Sequence, residues 1–402
     1  MTKFTIAAAA LAAGLLVQTQ GHTQALISAS TANHSGTTSD PEKEVRKTWH
    51  AVMRNIPMPG TGCFHARYPD VAWESVECKA AKPRAYHGRS RPSIGAPANA
   101  GYGVDFFAGS TGGLIYQAAG RFFVSGVTSE TNVATLPPPN NGILGPNDYS
   151  LQLNTNTAYT PACQGNGSCT VWQQFIYATD TQSGFAVVFM QYWLWGWSGN
   201  CPSGFTSPPD GPAGECYMNS QEAVAPVIPV TNLNDLTLEG WTSPGGGAGG
   251  LGDCVVLDYE EGISAICSGT SVLDIGTVWT QAEFNVVGDL ELSQAQFNPG
   301  SQITVQLGIE NGSENPYPPG GPAAVACLPG TGAYASFPGE AYTEETNNLT
   351  LGTCQTGLGP VGYVPVTQPY IEFTENYPVP SIPCLTCGGG GNPRPPTPPI
   401  RE

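Results

Sequence analysis

The chain reads as an all-β protein, a sandwich or a barrel. Three features predict this. Gly and Pro, 51 and 37 of 402 residues, cut the chain into short pieces. Between them lie runs rich in Val, Ile, Tyr, Phe and Trp that are either alternating or continuously apolar. No long stretch repeats at the helical period. Many strands at this density of turns pack as two sheets or close as one.

The elements follow in order. Residues 1–25 have a Lys, an apolar run too short to span a bilayer, and then small and polar residues. This is the layout of a secretory signal peptide. Residues 26–100 form a basic N-terminal segment and linker. Within it, residues 43–57 (KEVRKTWHAVMRNIP) suit a short helix. Cys63 and Cys78 bracket an aromatic cluster of Phe64, Tyr68 and Trp73, and a Pro/Gly/Ala-rich linker follows. Residues 101–383 hold the strand candidates, among them DYSLQLNTN, VWQQFIYAT, GFAVVFMQYWLWGW, DCVVLDY, AEFNVVGD, SQITVQLGI and PYIEFTE. Residues 384–402 are a Gly/Pro-rich tail. No later segment is apolar and long enough for a membrane helix, so an exported protein without a membrane partner is expected.

Charge divides the chain. Ten of its fourteen Lys and Arg lie at residues 43–91, whereas residues 92–393 hold twenty-four Asp and Glu against Arg121 alone. A domain so poor in cations has nothing to meet phosphates, which argues against nucleic acid. Below pH ~4 its carboxylates take up protons and little positive charge remains to repel, so the composition suits acid. An acidic surface serving solubility accounts for it equally well. The basic segment reads as a propeptide that pairs with the acidic domain, or as a permanent disulfide-clipped extension.

Twelve cysteines fit an oxidising compartment. They fall in sequential near pairs, 63/78, 163/169, 201/216, 254/267, 327/354 and 384/387, which suggests local disulfides. Only Cys384-Leu-Thr-Cys387 has metal-like spacing, and it abuts the tail. No metal or cofactor is expected.

Five segments occur in an order that resembles another family. DYSLQLNTN precedes CTVWQQFIY, then come the aromatic FMQYWLWGW, QAEFNVVGD and YIEFTEN. Over residues 148–376 this resembles the eqolisin-type glutamic peptidases and, in outline, their neprosin-type relatives. The whole layout, with the Cys63/Cys78 module, is similar to a family of uncharacterised exported bacterial proteins. The resemblance implies a double-sheet antiparallel β-sandwich of the concanavalin-like kind with a concave substrate face. It also implies a dyad in which a Glu activates water and a Gln on a neighbouring strand supports the oxyanion.

By motif the Gln falls on Gln173, or on Gln174 if the match slips by one. The position expected for the catalytic Glu is Val287, which cannot activate water. Side chains alternate along a strand, so Glu283, Asn285 and Val287 share a face, with Glu283 ~13 Å from Val287. Glu283 and Asp289 are therefore the candidate acids, with Glu372 and Glu375 of the terminal strand behind them. Gln191, Trp193 and Trp195 are candidate substrate-binding residues; the same aromatics also suit sheet-face packing.

Two functions from different classes follow. One is an exported acid-active endopeptidase acting on polypeptide. The other is a non-catalytic sandwich that binds polysaccharide or protein through its aromatic face. A glycoside hydrolase would need two carboxylates facing across a cleft, and no E-x-D-x-E strand is present.

Overall fold

A computed structural model describes residues 41–82, 99–101, 105–134, 143–208, 213–242, 252–269, 271–289, 293–311, 325–329 and 345–377. The expectations for residues 1–25, for the linker and tail, and for Cys384 and Cys387 lie outside these residues. The expected fold class is what the described chain adopts. It is mostly β and forms two large sheets.

The chain opens with helix α1 (Pro41–Arg54). Pro starts it, Glu42 and Glu44 lie in its first turn and Arg54 in its last, each favourable to the helix dipole. The strands that follow are β1 (Gly62–Arg67), β2 (Glu74–Val76), β3 (Asn99–Gly101), β4 (Phe106–Ser110), β5 (Gln117–Ser125), β6 (Glu130–Ala134) and β7 (Gly145–Pro146). Next come β8 (Tyr149–Thr155), β9 (Thr170–Asp180), β10 (Phe185–Trp195), β11 (Glu215–Asn219), β12 (Ala223–Ala225), β13 (Thr237–Trp241), β14 (Cys254–Tyr259) and β15 (Gly262–Cys267). The last are β16 (Gln281–Gly288), β17 (Ser293–Phe297), β18 (Gln302–Glu310), β19 (Val325–Pro329), β20 (Thr346–Val361) and β21 (Val364–Asn376).

The larger sheet runs β2-β1-β15-β14-β13-β5-β18-β21-β20-β17-β6-β7, with β3 beside β20. It is antiparallel except where β17 meets β20. The smaller runs β11-β10-β9-β8-β16-β4-β19, with β12 beside β10. The longest apolar run of the sequence, now β10, is an interior strand of this sheet, as its length suggests.

Alternation fills the space between the sheets. Leu151, Leu153, Phe175, Tyr177, Met190, Tyr192, Phe284 and Val286 of the smaller sheet share one core with Phe122, Leu238, Leu257, Val305, Leu307 and Phe373 of the larger. Two glycines let the layers close. A Cβ on Gly120 would stand 2.2 Å from the Phe284 ring, and one on Gly240 would stand 2.4 Å from Phe175.

Helix α1 lies on the opposite face of the larger sheet. Trp49 and Met53 pack with Ala66, Val256, Ile263 and Ala265. Its His50 meets Asp258 at 3.1 Å, and Arg54 pairs with both Asp258 and Glu239. The basic segment is thus built into the sheet twice, through α1 and through β1, which pairs with β15 along its whole length.

Five of the near pairs of cysteines are bonded: Cys63–Cys78, Cys163–Cys169, Cys201–Cys216, Cys254–Cys267 and Cys327–Cys354. Four clip a hairpin or loop. Cys327–Cys354 joins β19 of one sheet to β20 of the other.

Gly120→Val places a branched side chain where the Phe284 ring already sits. Overpacking of this kind costs about 1–3 kcal/mol. The expected result is a lower urea unfolding midpoint with an unchanged slope, and a neutral result would show that Phe284 is not tightly held.

Candidate functional site

The smaller sheet has a core face and an outer face, and the outer face carries a row of polar residues beside apolar clusters of Ile176, Ala178, Val187 and Phe189 and of Trp172, Trp193 and Trp195. Leu151 and Leu153 of β8 point to the core, so Ser150, Gln152 and Asn154 point out. Phe284 and Val286 of β16 point to the core, and Glu283 alternates with them to point out, whereas Asn285 reaches Glu375 of the larger sheet. On β9, Val171, Phe175 and Tyr177 are core residues; Gln173 shares their face and Gln174 does not. On β10 the same logic turns Gln191, Trp193 and Trp195 outward.

Register brings these residues into line. Glu283 stands opposite Asn154, Asn154 opposite Gln174, Gln174 opposite Gln191, and Gln191 opposite Asn219. One rung of the sheet therefore carries a carboxylate and four side-chain amides across five strands. All but Asn219 are fully buried.

Hydrogen bonds give the rung a direction. An indole N–H can only donate. Trp193 Nε1 donates to Gln174 Oε1 at 3.2 Å and to Gln191 Oε1 at 2.8 Å. This turns the Gln174 amino group toward β8, the side on which Glu283 lies. Gln174 Nε2 donates to Gln152 Oε1 at 3.0 Å, and Gln152 Nε2 donates to Glu345 at 3.0 Å. Asn154 Nδ2 donates to Glu283 at 3.2 Å, and Gln191 Nε2 donates to Asn219 at 2.7 Å.

The remaining candidates lie elsewhere. Gln173 points between the sheets beside Asp253, and neither side chain makes a well-formed hydrogen bond there. Asp289 is buried just past β16, about 20 Å along the chain from Glu283 at strand rise. Its backbone carbonyl accepts from Asn132, and its charge is felt by Glu130. Glu372 accepts from Gln306 and Gln355 on the outer side of the larger sheet. Trp193 and Trp195 pack with Trp172 and Tyr217, with ring centroids 4.8 Å apart for Trp172–Trp195 and 5.2 Å for Trp193–Tyr217.

Glu375 belongs to a second cluster. β4 pairs with β16 only at residues 281–283, and beyond that stretch Asn285 of β16 meets two carboxyls. Asn285 Nδ2 donates to Asp105 at 2.7 Å and to Glu375 at 2.6 Å, and Asn347 Nδ2 donates to Glu375 at 2.9 Å. Two buried carboxyls thus share one amide nitrogen. Burial pushes Asp105 up to about 7, and burial with the nearby Asp105 pushes Glu375 up to about 8. Burial likewise lifts Asp253 to about 7 and, together with Asp148, Glu130 to about 9.

Motif matching did not find Asn154, Gln152, Asn219, Glu345 or Asp105. A signal existed for two of them, since DYSLQLNTN alternates Leu with Gln and Asn. A cavity of about 860 Å³ lies away from the rung, lined by Arg46, His65, Tyr68, Phe185, Val224 and Tyr259 among others. Among the described residues no cluster of His, Cys, Asp and Glu suits a metal ion, and no helix is long and apolar enough to cross a membrane.

Comparison with known proteins adds little. No family model and no curated protein matches the chain. A structure of human GIVD cytosolic phospholipase A2 aligns over 66% of this chain at 11% identity, with a TM-score of 0.09. The chain spans about a third of that protein's length, 33%, and so poor a superposition carries no argument.

The raised carboxyls set a pH dependence. Each holds its proton more tightly in the fold than in the unfolded chain, where carboxyls titrate near pH ~4. Between about pH 4 and pH 9 the folded chain binds more protons, so stability falls as pH rises. Asp258 works the other way: burial opposes its charge, but Arg54 and His50 hold it low, and its contribution is lost as pH falls through that depressed value. Urea unfolding should show a higher midpoint at about pH 4.5 than at about pH 8.5. Asp105→Asn should raise the unfolding free energy at the alkaline end, by roughly 1.4 kcal/mol per pKa unit relieved, and give no gain in acid. A midpoint that climbs with pH would contradict this account of the buried carboxyls.

Proposed function

We propose that the chain is an exported hydrolase of polypeptides that works in acid, with Glu283 as general base and Gln174 as the amide that positions water and supports the oxyanion. One observation carries this reading. The two residues stand on the same rung and face of one sheet, ~10 Å apart between backbones, with Asn154 of β8 between them and donating to Glu283.

The chemistry needs little else. Glu283 takes a proton from the water as the water attacks the carbonyl carbon. The Gln174 amino group spends one N–H on Gln152 and donates the other to the oxygen that becomes negative. The protonated Glu283 then returns its proton to the leaving nitrogen as the C–N bond breaks. A carboxylate suits acid because it stays partly ionised where His would be fully protonated. Trp193 holds the amide in the donating orientation and is a positioning residue. The disulfides agree with folding outside a reducing compartment.

A binding-only role is the alternative. It would use the aromatic end of the face, where Trp172, Trp193, Trp195 and Tyr217 pack on one another and, like Glu283 and Gln174, are buried.

Denatured casein, offered at about pH 3 and pH 7 with pepstatin present, tests the proposal. Cleavage is expected in acid. Glu283→Gln and Gln174→Ala should each lower it about 100-fold or more at unchanged fold, the scale of losing a base or an oxyanion donor. Gln173→Ala should leave the rate per folded molecule unchanged, because that amide faces the core. Casein left intact at every pH, with retention on an insoluble polysaccharide, would move the assignment to the binding module.

A further inference from the structure

One end of the polar rung already has polypeptide lying against it. Residues 79–82, Lys-Ala-Ala-Lys, follow the Cys63–Cys78 bridge and run beside the segment between β11 and β12. Lys79 exchanges two main-chain hydrogen bonds with Glu222, at 2.9 and 3.0 Å. The Lys82 N–H donates to the Glu222 carboxylate at 3.1 Å. The Lys82 carbonyl accepts from Asn219 Nδ2 at 2.8 Å, the same Asn219 whose oxygen accepts from Gln191. The backbone of this segment therefore continues the amide network that leads to Gln174 and Glu283.

Its side chains are received as well. The Lys79 ammonium sits 3.1 Å from the centre of the Phe185 ring, and that of Lys82 sits 5.3 Å away. Lys82 Nζ lies 3.3 Å from Asp180. Phe185 and Asp180 stand opposite each other at the β9–β10 turn, on the outer face. Burial works against the charge of Asp180, but hydrogen bonds from the Ser183 hydroxyl and N–H and from Lys82 outweigh it and hold the carboxyl below its ordinary range. The subsite stays anionic in mild acid, where other carboxyls of this chain are protonated.

The contacts divide into two kinds. Glu222 and Asn219 read peptide groups, which any polypeptide offers. Asp180 and the Phe185 ring read a cation. Resting on the assignment of the outer face as the substrate face, we propose that this edge is a subsite that takes polypeptide by strand addition and prefers a lysine or arginine side chain at the Asp180–Phe185 corner. Residues 79–82 occupy it in the chain itself and compete with substrate.

The test is binding, so it does not depend on turnover. A fluorescein-labelled peptide containing Lys-Ala-Ala-Lys is titrated at about pH 5 against Glu283→Gln protein, which cannot cut it by the proposed route. Adding Lys79→Ala and Lys82→Ala should tighten binding about tenfold, because the internal competitor loses its anchors. Lys79→Arg with Lys82→Arg keeps the anchors and should bind like the parent. Asp180→Asn, added to the alanine pair, should abolish the gain, and a peptide with norleucine in place of both lysines should show none. Equal binding by the parent and the alanine variant overturns the proposal, as does a gain that survives Asp180→Asn. Absence of casein cleavage by the unaltered protein would sink the hydrolase assignment and leave this measurement standing.

Discussion

A carboxyl taken out of water without a cation must keep its proton or be held by neutral donors, and much of this fold is arranged around that requirement. The acidic domain has Arg121 as its only cation over some three hundred residues. Asp105 and Glu375 meet the requirement by sharing Asn285, with Asn347 beside them. Asp253 and Glu130 have too few donors, and burial drives their proton affinity up.

The same requirement explains the place of the basic N-terminal segment. Lys43 pairs with Asp235, Arg46 approaches Glu261, Arg54 joins Glu239 and Asp258, and Lys82 reaches Asp180. The cations the sandwich lacks are brought to it from residues 41–82. They come on elements that are themselves packed, a helix with buried Trp49 and Met53 and a strand paired with β15. Charge and packing here support one another. The buried carboxylates of Glu239 and Asp258 would be expensive without Arg54, and Arg54 is aimed at them by the helix.

Strand alternation turns this electrostatic economy into a site. The inter-sheet core takes alternate residues of β8, β9, β10 and β16, and the others form a face where apolar clusters flank a row of polar groups that bond one another. On that face Trp193 donates in one direction only, which orients Gln174, which in turn orients Gln152 toward Glu345. The proposed site is thus held on strands and by a donor of fixed polarity.

The sequence by itself determined the class of fold, the positions of most strands, the helix before them and five disulfides between neighbouring cysteines. Each depends on local chemistry: turn residues, alternation, capping and short loops. It also determined that Glu283 and Val287 point the same way, since the period of a strand is fixed. Only the tertiary structure decided the phase. Whether Gln173 or Gln174 faces outward depends on which side of β9 the larger sheet covers, and two adjacent glutamines look alike until that side is filled. It decided the register too, setting Glu283 level with Asn154 and Gln174, residues more than a hundred positions away in sequence. The meeting of Asp105 with Glu375, 270 residues apart, has the same cause. Pairing between distant strands is governed by the packing of the whole sandwich, and no local pattern carries it.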